Sequence, residues 1–247
     1  MKYLYHYTRL NNIEKIIKND NVDLIATYYQ RYAADDYAWI KENAEPIIQE
    51  LCEDNHWQYD IDRLSYNPYI ISFCKNSTSE HMWNEFGEEG EGVTFVFNQE
   101  KLKEEAGSFS NYACLVPCEY VYPNNERLQI KKTIMKIANN ELLVVCTEDD
   151  KLIFAVMGIM QSKFYNEMEV RYVQIEERAF TAFYNDGDVK IEDYNVPKED
   201  WERHIIFSKD IMDGVIFGKY VDFDDIISFR EYFSRCGFDH LFIKRAN

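Results

Sequence analysis

Glycine is scarce in this chain: 9 residues of 247, against 19 tyrosines and 16 phenylalanines. Gly87, Gly90 and Gly92 stand close together and permit a tight loop. They lead into Val93-Thr94-Phe95-Val96-Phe97, a strand and not a helix, so they form no phosphate-binding fingerprint. Also missing are a Gly-x-Ser-x-Gly elbow, a His-Glu-x-x-His pair, a Walker loop and a dinucleotide motif. No metal site is expected. No run approaches the roughly 18 apolar residues of a membrane span. Met1-Lys2-Tyr3-Leu4-Tyr5-His6 lacks the apolar core of a signal peptide. The expectation is a cytoplasmic protein with no membrane partner.

Positive charge is in deficit, with 27 basic residues against 44 acidic ones and a net charge of −17. Phosphate neutralisation needs clustered lysine and arginine, so non-specific nucleic-acid binding is disfavoured. The nearest approach to a basic cluster, Arg127, Lys131, Lys132 and Lys136, reads as helix decoration. A protein or small-molecule partner is the default. Six cysteines are present, but Cys114 and Cys118 have neither a second close pair nor a neighbouring histidine. All six are expected to be reduced and structural.

What is present is core-forming material: 46% hydrophobic and 16% aromatic residues. Residues 3–7 read as a strand and 9–18 as a helix, with Leu10, Ile13, Ile16 and Ile17 on one face and Thr8 as N-cap. Residues 28–62 are polar and acidic, yet carry Trp39, Ile40, Ile47, Ile48 and Leu51 at helical spacing, which predicts a helical insertion. Strand signals follow at 69–74, 93–97 and 115–122. Residues 126–162 predict two helices broken near Glu148-Asp149-Asp150. From 167 onward the period turns to two, giving strands at 167–175, 179–184, 189–194, 203–208 and 214–217, then a helix at 222–235 and a strand at 239–244. Helices early and strands late predict one α+β domain over 1–247.

Chemistry concentrates in three places. Tyr5-His6-Tyr7-Thr8 ends the first strand, where His6 and Thr8 share a side and can offer an imidazole and a hydroxyl to a ribose or amide. The bland alternative is a core histidine beside a helix cap. Trp83 and Phe86, three apart, suit adjacent positions on a helical turn; core packing is the alternative for Trp83. The third place is Asn166-Glu167-Met168-Glu169-Val170-Arg171-Tyr172. Read as a strand, it puts Glu167, Glu169 and Arg171 on one face. Covering three ionisable groups is costly, so that face is either an exposed surface or a functional cleft.

These blocks resemble a known family. The order Tyr-His-Tyr-Thr, then Ser72-Phe73-Cys74, then Trp83-x-x-Phe86-Gly87 with Gly92-Val93, then Phe164-x-x-Glu167-x-Glu169-x-Arg171 and Asp213–Gly218, resembles the bacterial DUF2971 proteins. Apart from the 28–62 insertion, the resemblance spans the chain. The opening strand and the late acidic strand in turn resemble the ADP-ribosyltransferase superfamily. The resemblance implies split, mostly antiparallel sheets with flanking helices, gripping NAD as substrate in the cleft between them. It implies His6 and Thr8 as first-strand ligands, Ser72 on the middle strand, and Tyr7 or Trp83 as the aromatic against nicotinamide. Glu169 becomes the principal catalytic carboxylate, Glu167 its neighbouring base, and Arg171 a positioning or phosphate-contacting group. The Ser72-Phe73-Cys74 strand departs from the superfamily's Ser-Thr-Ser pattern, and no glycine-rich NAD loop is evident.

The resemblance therefore implies an NAD-dependent ADP-ribosyltransferase, or an NAD glycohydrolase, acting on a protein or other macromolecular target as a toxin or phage-defence effector. An inactive binding module on the same fold is the alternative from another class. A third reading takes Glu167 and Glu169, about 7 Å apart on a strand, as the acid–base pair of a hydrolase. On the transferase reading, Glu169→Gln is expected to abolish nicotinamide release and spare stability.

Overall fold

The structure is a computed structural model that describes residues 3–29, 34–55, 67–109, 113–143, 148–176, 182–185, 188–191 and 200–247. The chain begins with β1 (Tyr3–Thr8), a one-turn helix α1 (Ile13–Ile16), β2 (Ile17–Lys18), β3 (Asn21–Tyr28) and the long helix α2 (Ala34–Asn55). Next come β4 (Asn67–Cys74), α3 (Glu80–Glu85), β5 (Val93–Asn98), α4 (Gln99–Phe109), β6 (Ala113–Pro117) and β7 (Glu119–Val121). Helices α5 (Glu126–Ala138) and α6 (Glu148–Met157) lead to β8 (Ile159–Gln161) and β9 (Glu169–Glu176). The chain finishes with β10 (Ala182–Asn185), β11 (Asp188–Ile191), β12 (Glu202–Ser208), β13 (Met212–Phe217), α7 (Phe223–Arg235) and β14 (Phe242–Arg245).

This is a mixed fold built on an antiparallel-rich sheet. Its main path runs β12-β3-β4-β1-β5-β13-β14, with β13 and β14 parallel and β9 and β6 branching from β4. The branch at β4 shapes everything near the candidate site. Along one edge, β9 pairs with the whole of β4, from Asn67 opposite Glu176 to Cys74 opposite Glu169. The other edge is divided: β3 takes Tyr69 and Ile70, and β1 takes Cys74 alone. Among the described residues, Ile71, Ser72 and Phe73 have no strand on that side.

Two cores cover the two faces. Leu4, Phe73, Phe95, Phe97, Tyr172 and Phe207 face one core, closed by α1, α4 and α7 through residues such as Ile13, Leu102 and Phe233. Ile70, Val116 and Val173 face the other, closed by Ile40, Ile47 and Ile48 of α2, Ile130 and Ile134 of α5 and Phe154 of α6. The residues expected as an insertion thus supply a main wall of the second core, while 30–33 and 56–62 lie outside the described residues. Arg127 and Lys131 of α5 bond Glu50 of α2, and Lys136 bonds Glu119, so these three basic side chains are spent on neighbouring acids. The five described cysteines are buried and free. Among the described residues no helix is long and apolar enough to cross a membrane.

Several expectations change. The 9–18 helix is only a 3-10 turn at Leu10–Asn12 and one α turn, because Ile17 already pairs with Val22. Thr8 caps nothing: Arg9 holds the N-cap position, and the Thr8 hydroxyl accepts a bond from the Asn12 side-chain amide at 2.9 Å. β3 is a strand that the expectations above do not include, with Val22, Leu24, Ala26 and Tyr28 alternating inward at period two. Helix α4 is likewise an addition to the expected elements. The break between α5 and α6 falls before Glu148, which starts the second helix.

Candidate functional site

The divided edge of β4 leaves the Ser72 carbonyl facing β1 with no main-chain amide. His6 supplies the missing donor through Nδ1, 3.0 Å from that oxygen, and its ring packs on Phe73 with centroids 5.9 Å apart. Burial lowers the His6 pKa from its ordinary value, against the opposing pull of the Ser72 carbonyl. A neutral imidazole with its proton on Nδ1 fits both facts.

The Ser72 side chain points to the other face, where Glu169 and Arg171 also lie, since Ser72 stands opposite Arg171 and Cys74 opposite Glu169. The Ser72 hydroxyl donates to Glu169 Oε1, and Arg171 Nε lies 3.1 Å from the same oxygen. Arg171 Nη1 donates to the Tyr29 hydroxyl at 2.8 Å and to the Met157 carbonyl at 2.7 Å, and its guanidinium sits 4.8 Å from the Tyr29 ring centre. The Glu169 amide donates to the Tyr120 hydroxyl at 2.9 Å, and Tyr120 meets Tyr165 edge-on.

The pair is enclosed. Glu169 is 4% exposed and Arg171 2%, so for these two residues the exposed-surface alternative is excluded. Burial opposes the Arg171 charge, but Glu169, Tyr29 and Cys118 outweigh it and hold its pKa above the ordinary value. Burying two charges is tolerated because each is paired and further hydrogen-bonded. No sequence signal marked Tyr29 or Tyr120 as their partners.

Glu167 is not on the strand. It ends a 3-10 segment, Ser162–Glu167, and Met168 then takes a left-handed backbone with φ 44° before β9 begins at Glu169. That reversal breaks the alternation on which a Glu167/Glu169 pair depended. Glu167 still acts electrostatically on this region: burial, and behind it the charges of Glu167 and Glu169, push the Cys74 thiol up.

Tyr7 and Trp83 form a second cluster. Their rings meet edge to face at 5.0 Å and 84°, packed with Cys74 and Met82. The Tyr7 hydroxyl donates to the Asn76 carbonyl at 2.7 Å, and Trp83 Nε1 to the Ser77 carbonyl at 3.3 Å. Ser79 caps α3 by accepting from the Met82 amide, which fixes the turn carrying Trp83. Trp83 is 9% exposed.

The structure thus unites Ser72, Glu169 and Arg171, pairs Tyr7 with Trp83 beside them through Cys74, joins His6 only through the Ser72 main chain, and leaves Thr8 with Asn12. Trp83 lines a cavity of about 490 Å³ whose lining includes none of His6, Tyr7, Thr8, Ser72, Glu167, Glu169 or Arg171. Among the described residues no cluster of three or more His, Cys, Asp or Glu is arranged to hold a metal.

Comparison adds no relative. No family model matches the chain, and no curated protein or solved structure matches it.

Proposed function

We propose that the protein binds NAD and cleaves its nicotinamide–ribose bond, transferring ADP-ribose to a protein acceptor or to water, with Glu169 as the central carboxylate. The observation that carries this reading is the convergence of the Ser72 hydroxyl and Arg171 on Glu169 at the point where the sheet divides. A middle-strand serine and a late glutamate are what the resemblance to DUF2971 proteins and ADP-ribosyltransferases implies. The chemistry suits it. Loss of nicotinamide builds positive charge on the ribose, and a carboxylate fixed in advance stabilises that charge more than the ground state. Neutral His6 is suited to hydrogen bonding and not to electrostatic work. Glu167, on its 3-10 segment near the start of β9, is the base candidate for an acceptor. A role as toxin or phage-defence effector belongs to the same reading.

The burial of Glu169 favours a second reading: Ser72, Glu169 and Arg171 clip β4 to β9 in a binding module without catalysis. One experiment separates the two. Purified protein is titrated with NAD by calorimetry and assayed for free nicotinamide. Release by wild type, with a loss of about a hundredfold in Glu169→Gln at a temperature where circular dichroism shows it folded, supports cleavage. Neither binding nor release by wild type hands the site to the second reading. Free ADP-ribose without a labelled acceptor identifies the glycohydrolase form.

A further inference from the structure

We propose that the cavity between α3, the 87–92 loop and the paired ends of β13 and β14 binds a sugar phosphate, with the phosphate among Lys219, Lys244 and Arg245. Its volume, about 490 Å³, lies within the range of small-molecule sites. Trp83, Ile216 and Ala246 give it an apolar wall. The inference is independent of NAD cleavage.

Charge carries the argument. In a chain with 44 acidic residues and 27 basic ones, three basic side chains gather on one concavity, and none forms an ion pair with a carboxylate among the described residues. They are held in other ways. Lys219 Nζ sits 4.7 Å from the Tyr220 ring centre, Lys244 Nζ 4.9 Å from that of Phe242, and Arg245 Nη2 donates to the Lys219 carbonyl at 2.6 Å. Aromatic faces and a carbonyl orient these cations without neutralising them. A phosphate offers three acceptor oxygens for such donors. Two side-chain carboxylates, Glu80 and Glu89, also line the cavity, as does Asn247, the last residue of the chain; carboxylates repel a bare anion but accept bonds from sugar hydroxyls, which is why an ester suits the lining better than the free ion.

The wall is also built rigidly. Glu88, Glu89 and Gly90 are left-handed in succession, with φ of 49°, 55° and 94°. Such a run is held only where its surroundings enforce it. Here the Gly218 amide donates to the Gly92 carbonyl at 2.9 Å and the Tyr220 amide to the Gly90 carbonyl at 3.0 Å, locking the loop to the segment that carries Lys219.

The test is calorimetric titration of the full chain with ribose 5-phosphate, AMP, ribose and inorganic phosphate at low salt, with the Trp83 indole N–H resonance as a local probe. The two esters are expected to bind and shift that resonance, and ribose is not. Lys244→Gln with Arg245→Gln should weaken the esters by about tenfold or more, as loss of charge-assisted bonds requires. These side chains are exposed, so the thermal midpoint should hold; if it does not, Lys219→Gln provides the same readout. Absence of ester binding to wild type, unchanged affinity in the variants, or inorganic phosphate binding as tightly as the esters overturns the proposal. Nicotinamide release without ester binding would sink this inference alone, and ester binding without release would sink only the cleavage reading.

Discussion

Replacing Glu169 by glutamine should unfold this protein more readily than its conservative shape suggests. The carboxylate oxygen lies 3.1 Å from Arg171 Nε, with side-chain exposures of 5% and 3%. At that separation the attraction is about 5 kcal/mol for an effective dielectric near 20. The net effect is smaller, because both charges were desolvated to form the pair. Arg171 does not escape by losing its proton, because a guanidinium keeps its proton in proteins even without a carboxylate partner. It keeps its bonds to the Tyr29 hydroxyl and the Met157 carbonyl, which places the loss near the lower end of the roughly 3–5 kcal/mol typical of breaking a buried pair. A cost of about 3 kcal/mol corresponds to a fall in melting temperature of about 6–12 °C in a chain of this size. Urea unfolding followed by circular dichroism measures it. Arg171→Met should cost a similar amount by stranding Glu169, and the double variant should be more stable than either single one. A Glu169→Gln variant within about 1 kcal/mol of wild type, or a strictly additive double variant, would show that the pair is solvated as ordinary surface pairs are, and would refute the enclosed site. The sequence alone suggested that this substitution spares stability; burial reverses that expectation.

Acid should weaken the fold through His6. Its folded pKa lies below the ordinary 6.5, so its contribution is complete above that value and is lost as pH falls through 6.5 toward the folded pKa; the urea midpoint should drop over that window in wild type and drop less in His6→Gln. Gly218→Ala should destabilise by at least about 1–3 kcal/mol, because the new methyl would lie 2.1 Å from the Gly90 carbonyl, a backbone atom pinned by its own turn. A melting curve for Gly218→Ala that overlays wild type would show that the two loops are not in that contact.

Local order in the sequence determined a good deal. The apolar spacing at Ile40, Ile47, Ile48 and Leu51 specified a helix, and the Glu169-Val170-Arg171-Tyr172 alternation specified which side chains of β9 share a face, since helical and strand periods are properties of neighbouring residues. The β3 pattern is equally legible in the alternation of Val22, Leu24, Ala26 and Tyr28. The Glu167 position was not legible, because one left-handed residue at Met168 rotates everything before it off the strand face, and no residue type there announces the turn. Whether the Glu169–Arg171 face met water was decided in three dimensions alone. Tyr29 lies 142 residues from Arg171, Ser72 lies 97 from Glu169, and α2, α5 and α6 close over them from three separate parts of the chain. A charge's cost depends on what covers it and what pairs with it, and those partners are chosen by the tertiary fold.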